Sequence, residues 1–98
     1  MAIYIFSYDL VNETGSYDYE PLWNEIKRLG GHRVQQSSWL LNLNNTPKEV
    51  VEHFKAFTDS DDRLWVSSVR SNQHWFTNAM SDPNDWLKLK QSKLTAVL

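Results

Sequence analysis

Two periods of apolar and polar residues alternate along this chain, and the switches between them mark out its elements. The run AIYIFSYDL, residues 2–10, is β-branched and aromatic and predicts a strand over Ile3 to Leu10. Side chains alternate across a strand, so Ile3, Ile5, Ser7 and Asp9 share one face, and Tyr4, Phe6, Tyr8 and Leu10 the other. Apolar residues on both faces predict a central strand covered on both sides. After the polar loop VNETGS the period changes. Tyr19, Leu22, Ile26 and Leu29 recur at helical spacing, which predicts a helix over Tyr19 to Leu29. Asp18 is the expected N-cap, Pro21 fits only the first turn, and Gly30-Gly31 supplies the stop.

The next stretch, HRVQQSSWLLNL, is extended. Val34 and then Trp39 to Leu43 suit two short strands with a bend over Gln35 to Ser38; periodicity alone also allows one long strand. TPKEVVEHFKAF carries the clearest local signal. Thr46 caps, Pro47 opens the helix, Glu49 completes a capping box, and Val50, Phe54 and Phe57 form the apolar face. His53 falls between charged neighbours, the pattern of a solvated face. TDSDD reads as an acidic turn, Arg63 to Val69 as a strand, NQHWFTNA as a short edge strand, and Asp82-Pro83 as the start of a short helix through Trp86 and Leu87. The order strand, helix, strand, strand, helix, strand is that of an α+β, ferredoxin-like domain: a four-stranded antiparallel sheet with two helices on one face. It predicts one domain over 1–98, with a core over about 2–78 and a C-terminal helix and tail over 82–98. Two helices leave one sheet face bare, so a homodimer is expected to cover it through Ile3, Ile5, Ser7, Asp9 and, from the C-terminal segment, Trp86.

Composition narrows the function. The 98 residues contain no cysteine, which removes disulfides, thiolate metal sites and cysteine nucleophiles. With no membrane-length apolar run and no basic signal-peptide start, the expectation is a cytoplasmic protein with no membrane partner. The net charge of −2 weighs against non-specific DNA binding. Aromatics make up 13% of the chain, with five tryptophans, enough for core, interface and a base-stacking platform. Trp39 and Trp65 fall within strands and suit core or dimer face. Trp75 and Trp86 fall outside the best-defined elements, and Trp75 is a candidate for stacking.

Chemistry concentrates at Asp9, a carboxylate closing an apolar strand. It is a turn or backbone cap, or a metal ligand that a second copy completes, since Mg²⁺ is held by carboxylates with waters and phosphate. Arg33 suits bidentate phosphate contact or an ion pair, and Gln35, Ser37 and Ser38 suit base-edge contacts or a bent hairpin. Asp59, Asp61 and Asp62 lack the glycine and glutamate of a calcium loop. His32, His53 and His74 are too far apart in sequence to form a ligand pair.

Three stretches in order, YDL, GGHRVQQSSWLL and DDRLWVSSV, separated by helix-length gaps, carry a resemblance. They resemble the small CRISPR-associated adaptation proteins of the Cas-two type, and the virulence-associated protein D group, over about residues 2 to 70. The resemblance implies a homodimer whose two Asp9 side chains meet near the axis and hold one Mg²⁺ or Mn²⁺ for phosphodiester hydrolysis of RNA or DNA. It also implies that Arg33, Gln35 and Ser37 belong to a second-strand pattern and that Tyr8 is the aromatic before the acid. Where the family carries basic residues after the aspartate, this chain has the acidic VNETGSYDYE, and SNQHWFTNAMSDPNDWL differs from the family's usual final strands. The expected function is a Cas-two-like homodimer associated with nucleic acid or a nucleotide. The alternatives are a metal-dependent endonuclease acting through paired Asp9, and a protein–protein adaptor in phage–host conflict or CRISPR adaptation.

Overall fold

Two sequence-distant stretches, residues 4–9 and 63–68, lie side by side in one sheet. The computed structural model describes residues 2–10, 19–69, 77 and 98. Its elements are β1 (Ala2–Asp9), α1 (Glu20–Arg28), β2 (His32–Gln35), β3 (Ser38–Leu43), α2 (Pro47–Phe54), a 3₁₀ turn over Lys55–Phe57, and β4 (Arg63–Ser68). The strands form a four-stranded sheet in the order β2-β3-β1-β4. The β1–β3, β1–β4 and β2–β3 pairs are all antiparallel. With its two helices this is an α+β fold, compatible with a ferredoxin-like domain. The break in HRVQQSSWLLNL is real: β2 and β3 form a hairpin with an irregular register between Arg33 and Gln35.

β1 is central, as its two-sided pattern requires. Tyr4, Phe6 and Tyr8 join Trp39, Leu41 and Leu43 of β3, Leu22 and Ile26 of α1, and Val50 and Phe54 of α2 in one buried cluster. Both helices therefore cover the same sheet face. The rings of Phe6 and Phe54 stack with centroids 4.6 Å apart and fasten α2 to the middle of β1. On the opposite face Ile3, Ile5 and Ser7 are half-buried. Leu40 and Asn42 on that face are buried in the single chain. The face is thus not uniformly bare, and its exposure is concentrated toward β4.

Local signals account for the helix ends. The capping box of α2 is complete: the Glu49 backbone N–H donates to Thr46 Oγ1 at 3.2 Å, and the Thr46 N–H donates to Glu49 Oε1 at 2.8 Å. The Thr46 backbone N–H, above all, holds the Glu49 carboxyl below its ordinary range. α1 ends in two reverse bonds, Gly31 N–H to Ile26 O and Gly30 N–H to Lys27 O, both 2.9 Å, with Gly30 at a φ of 78°. That is the left-handed C-terminal motif that glycine favours. Gly31 has a different role. A Cβ there would run into Ile26 Cγ2 and sit 3.1 Å from Leu41 Cδ2, so the missing side chain lets α1 turn closely onto β3.

Some boundaries differ from expectation. β1 stops at Asp9 rather than Leu10, and Tyr19 is the N-cap of α1, with no side-chain capping bond. Phe57 lies in the 3₁₀ turn, still packed on the core. Asp18, His74, the NQHWFTNA strand and the 82–98 helix and tail lie outside the described residues, except for Thr77 within that stretch and Leu98 at the tail's end. The Leu98 N–H donates to Asn45 Oδ1 at 3.1 Å. Among the described residues, no helix is long and apolar enough to cross a membrane.

Candidate functional site at the end of the first strand

Antiparallel pairing brings the C-terminal end of β1 beside the β2–β3 turn and the start of β4. Tyr8, Asp9, Arg33, Gln35, Ser37 and Arg63 therefore gather at one end of the sheet. The Tyr8 N–H donates to Ser37 O at 3.1 Å, and Asp9 is in register with Arg63.

Tyr8 points to the helix side and is buried. Its hydroxyl accepts from Trp23 Nε1 at 2.7 Å and from Trp39 Nε1 at 3.2 Å, and donates to Gln36 O at 3.4 Å. Arg33 donates to the same Gln36 carbonyl through Nε at 3.2 Å and Nη2 at 2.5 Å. Its guanidinium lies 4.8 Å from the Trp23 ring centroid and 5.5 Å from that of Trp39. Such cation–π contacts favour a planar, weakly hydrated cation. Tyr8 and Arg33 thus shape the β2–β3 turn from within. Gln35 and Gln36 stand exposed beside it, and Ser37 is half-buried. Trp23 is a member of this group that the sequence reading does not single out. The signal for it is its position four residues after Tyr19, whose ring stacks on it at 5.3 Å.

Asp9 lies on the other side of the sheet and is exposed. Arg63 Nη1 donates to Asp9 Oδ2 at 3.3 Å, with side-chain exposures of 75% and 74% respectively. Next to it on this face, Ser7 is in register with both Ser38 and Trp65, and the two serine hydroxyls lie 3.0 Å apart. Trp65 is 69% exposed, and its Nε1 donates to Ser67 Oγ at 2.6 Å. Of the expected core or dimer-face tryptophans, Trp39 belongs to the core and Trp65 to the exposed part of the helix-free face. Trp75 and Trp86 lie outside the described residues.

Among the described residues, the donors at this end of one chain do not make up a divalent-cation site. Asp9 supplies one carboxylate, and a guanidinium already occupies its side. Among the described residues no group of three or more His, Asp or Glu side chains could hold a metal. A recess of about 230 Å³ between α2 and β4, lined by Lys55, Asp59, Asp62 and Leu64 among others, opens elsewhere. In its acidic turn the Asp59 N–H donates to Asp62 Oδ2 at 2.7 Å, as expected for a polar turn.

His53 is not on a simple solvated face. Its Nε2 lies 2.5 Å from Glu25 Oε2, and Arg28 grips the same carboxylate through Nε and Nη2, both at 2.7 Å. Glu25 is buried, and this cluster ties α1 to α2. Arg28 above all, with His53 adding to it, holds the Glu25 carboxyl down to about 2 against the opposing effect of burial. Sequence reasoning misses Glu25 because helical spacing does not show which polar position faces a neighbouring helix.

No family model matches this chain, and no solved structure matches it.

Proposed function

We propose that this chain is a ferredoxin-like, Cas-two-like cytoplasmic homodimer that associates with nucleic acid or a nucleotide through the end of its sheet. The observation that supports this reading is the gathering of Arg33, Gln35 and Ser37 around the β2–β3 turn beside Tyr8, at the end of the sheet whose other face carries Asp9 and Arg63. The exposed carboxamides of Gln35 and Gln36 and the Ser37 hydroxyl suit base or sugar contacts. The guanidinium of Arg33, stiffened by two indoles, suits a phosphate oxygen. With a net charge of −2, affinity rests on these placed groups rather than on a broad basic field. Binding should therefore depend only weakly on salt.

The endonuclease alternative needs a second Asp9 and an Arg63 that swings away, so no hydrolytic step is derived for it. The adaptor alternative is favoured by one observation, the exposed Trp65, since exposed aromatics mark protein contacts.

Fluorescence anisotropy with labelled single-stranded RNA, single-stranded DNA, a duplex and a labelled nucleotide tests the reading. Saturable binding that weakens in a Gln35→Ala/Gln36→Ala variant supports it. No binding to any of the four overturns it. Mg²⁺- or Mn²⁺-dependent cleavage that disappears in Asp9→Ala would replace it with the endonuclease.

A further inference from the structure

We infer that a second copy of this chain docks over the β1–β4 half of the helix-free face, with Trp65 as the anchor and each Asp9 pairing with Arg63 of the other copy. This rests on the homodimer in the proposal above and states how its two chains meet.

A two-fold interface must be self-complementary, because the same patch meets itself. The Asp9–Arg63 pair has that property. One negative and one positive group stand side by side on neighbouring strands, 3.3 Å apart and about three-quarters exposed. Rotating a second copy by half a turn sets carboxylate against guanidinium on both sides of the axis. Within one chain such an exposed pair contributes little, so exchanging or sharing partners costs little. Trp65 stands next in line on β4, two residues from Arg63 and on the same face. Its indole is the exposed large hydrophobic group of the described chain, and Trp and Arg are the residues that most often dominate interface energetics.

Electrostatics points the same way. Two Asp9 carboxylates approaching an axis repel each other unless a positive charge lies between them. Arg63, already in contact, supplies that charge from both chains, so the acid pair is neutralised without a metal ion. The metal-bridged dimer that the family resemblance implies and the guanidinium-bridged dimer inferred here therefore make opposite predictions for a chelator.

Sedimentation equilibrium on the full chain decides between them. The wild type is expected at twice 11.5 kDa, unchanged by EDTA. Trp65→Ala is expected to weaken the dimer about 30-fold or more. Asp9→Arg and Arg63→Asp, each alone, put like charges together and are expected to be monomeric. An equimolar mixture of the two is expected to form a heterodimer. The first variant carries a guanidinium at both positions and the second a carboxylate at both, so opposite charges meet across the axis. The intrachain pair stays broken in both variants, so recovery can come only from pairing between chains. All three positions are exposed, and circular dichroism checks that the variants fold. A wild-type dimer that these substitutions leave intact, a mixture that stays monomeric, or a dimer that EDTA dissociates and Mg²⁺ restores overturns this interface but leaves the homodimer standing. A wild-type monomer overturns both.

Discussion

Tyr8 shows how one hydroxyl can hold three elements in place. Two indole N–H groups, from α1 and β3, converge on its oxygen, and its own proton goes to the β2–β3 turn. Tyr8→Phe keeps the ring and removes the acceptor, leaving the buried Trp39 N–H without this partner. The expected cost is about 1–3 kcal/mol, read as a lower denaturant midpoint. Glu25 is the second such residue. Its carboxyl titrates at about 2 in the folded chain against an ordinary value of 4.5. The ionised form therefore stabilises the fold above pH 4.5, and that contribution is lost as the pH falls toward 2. Glu25→Gln should flatten the acid limb of the stability profile relative to wild type, and equal slopes in the two proteins would refute this role. At neutral pH the same substitution should cost about 1–3 kcal/mol.

At the scale of elements, α2 is set by its own sequence and α1 by its neighbours. The capping box of α2 involves only local residues, so Thr46→Ala should cost about 1 kcal/mol, measured by chemical denaturation. α1 lacks a side-chain cap at its described N-terminus, and its C-terminal end fits only because Gly31 carries no side chain. Gly31→Ala should cost about 1–3 kcal/mol by pressing a methyl group into Ile26, with a matching fall in midpoint. An unchanged midpoint would show that Ile26 yields freely. The strength of each sequence signal follows the same division. TPKEVVEHF is legible because cap, proline and acid lie within one turn. His53 reads as solvated from sequence because its partner is 28 residues away on another helix.

Across the whole molecule, one sheet face is a close-packed core and the other is graded from buried β3 to exposed β4. Phe54 joins α2 to the centre of that core. Phe54→Ala should cost about 3–5 kcal/mol, a large share of the roughly 5–15 kcal/mol that holds such a domain together. A melting curve showing little change would place the core elsewhere. Ile3, Ile5 and Ser7, expected from sequence to form a dimer face with Asp9, are half-buried in the single chain. Among the described residues, Asp9, Arg63 and Trp65 make up the exposed part of that face.

The sequence by itself determined the element order, the central place of β1, the cap of α2 and the glycine stop of α1, because period, capping and backbone freedom act over a few residues. It also drew attention to Asp9, Tyr8, Arg33, Gln35 and Ser37. Only the tertiary structure decided what those side chains touch. Arg33 lies across two tryptophan rings, Tyr8 becomes a buried junction, and Asp9 meets Arg63, 54 residues later. Strand register and helix docking set those partners, and both depend on the burial of residues distant in the chain. A local pattern can therefore name a residue without naming what it will face.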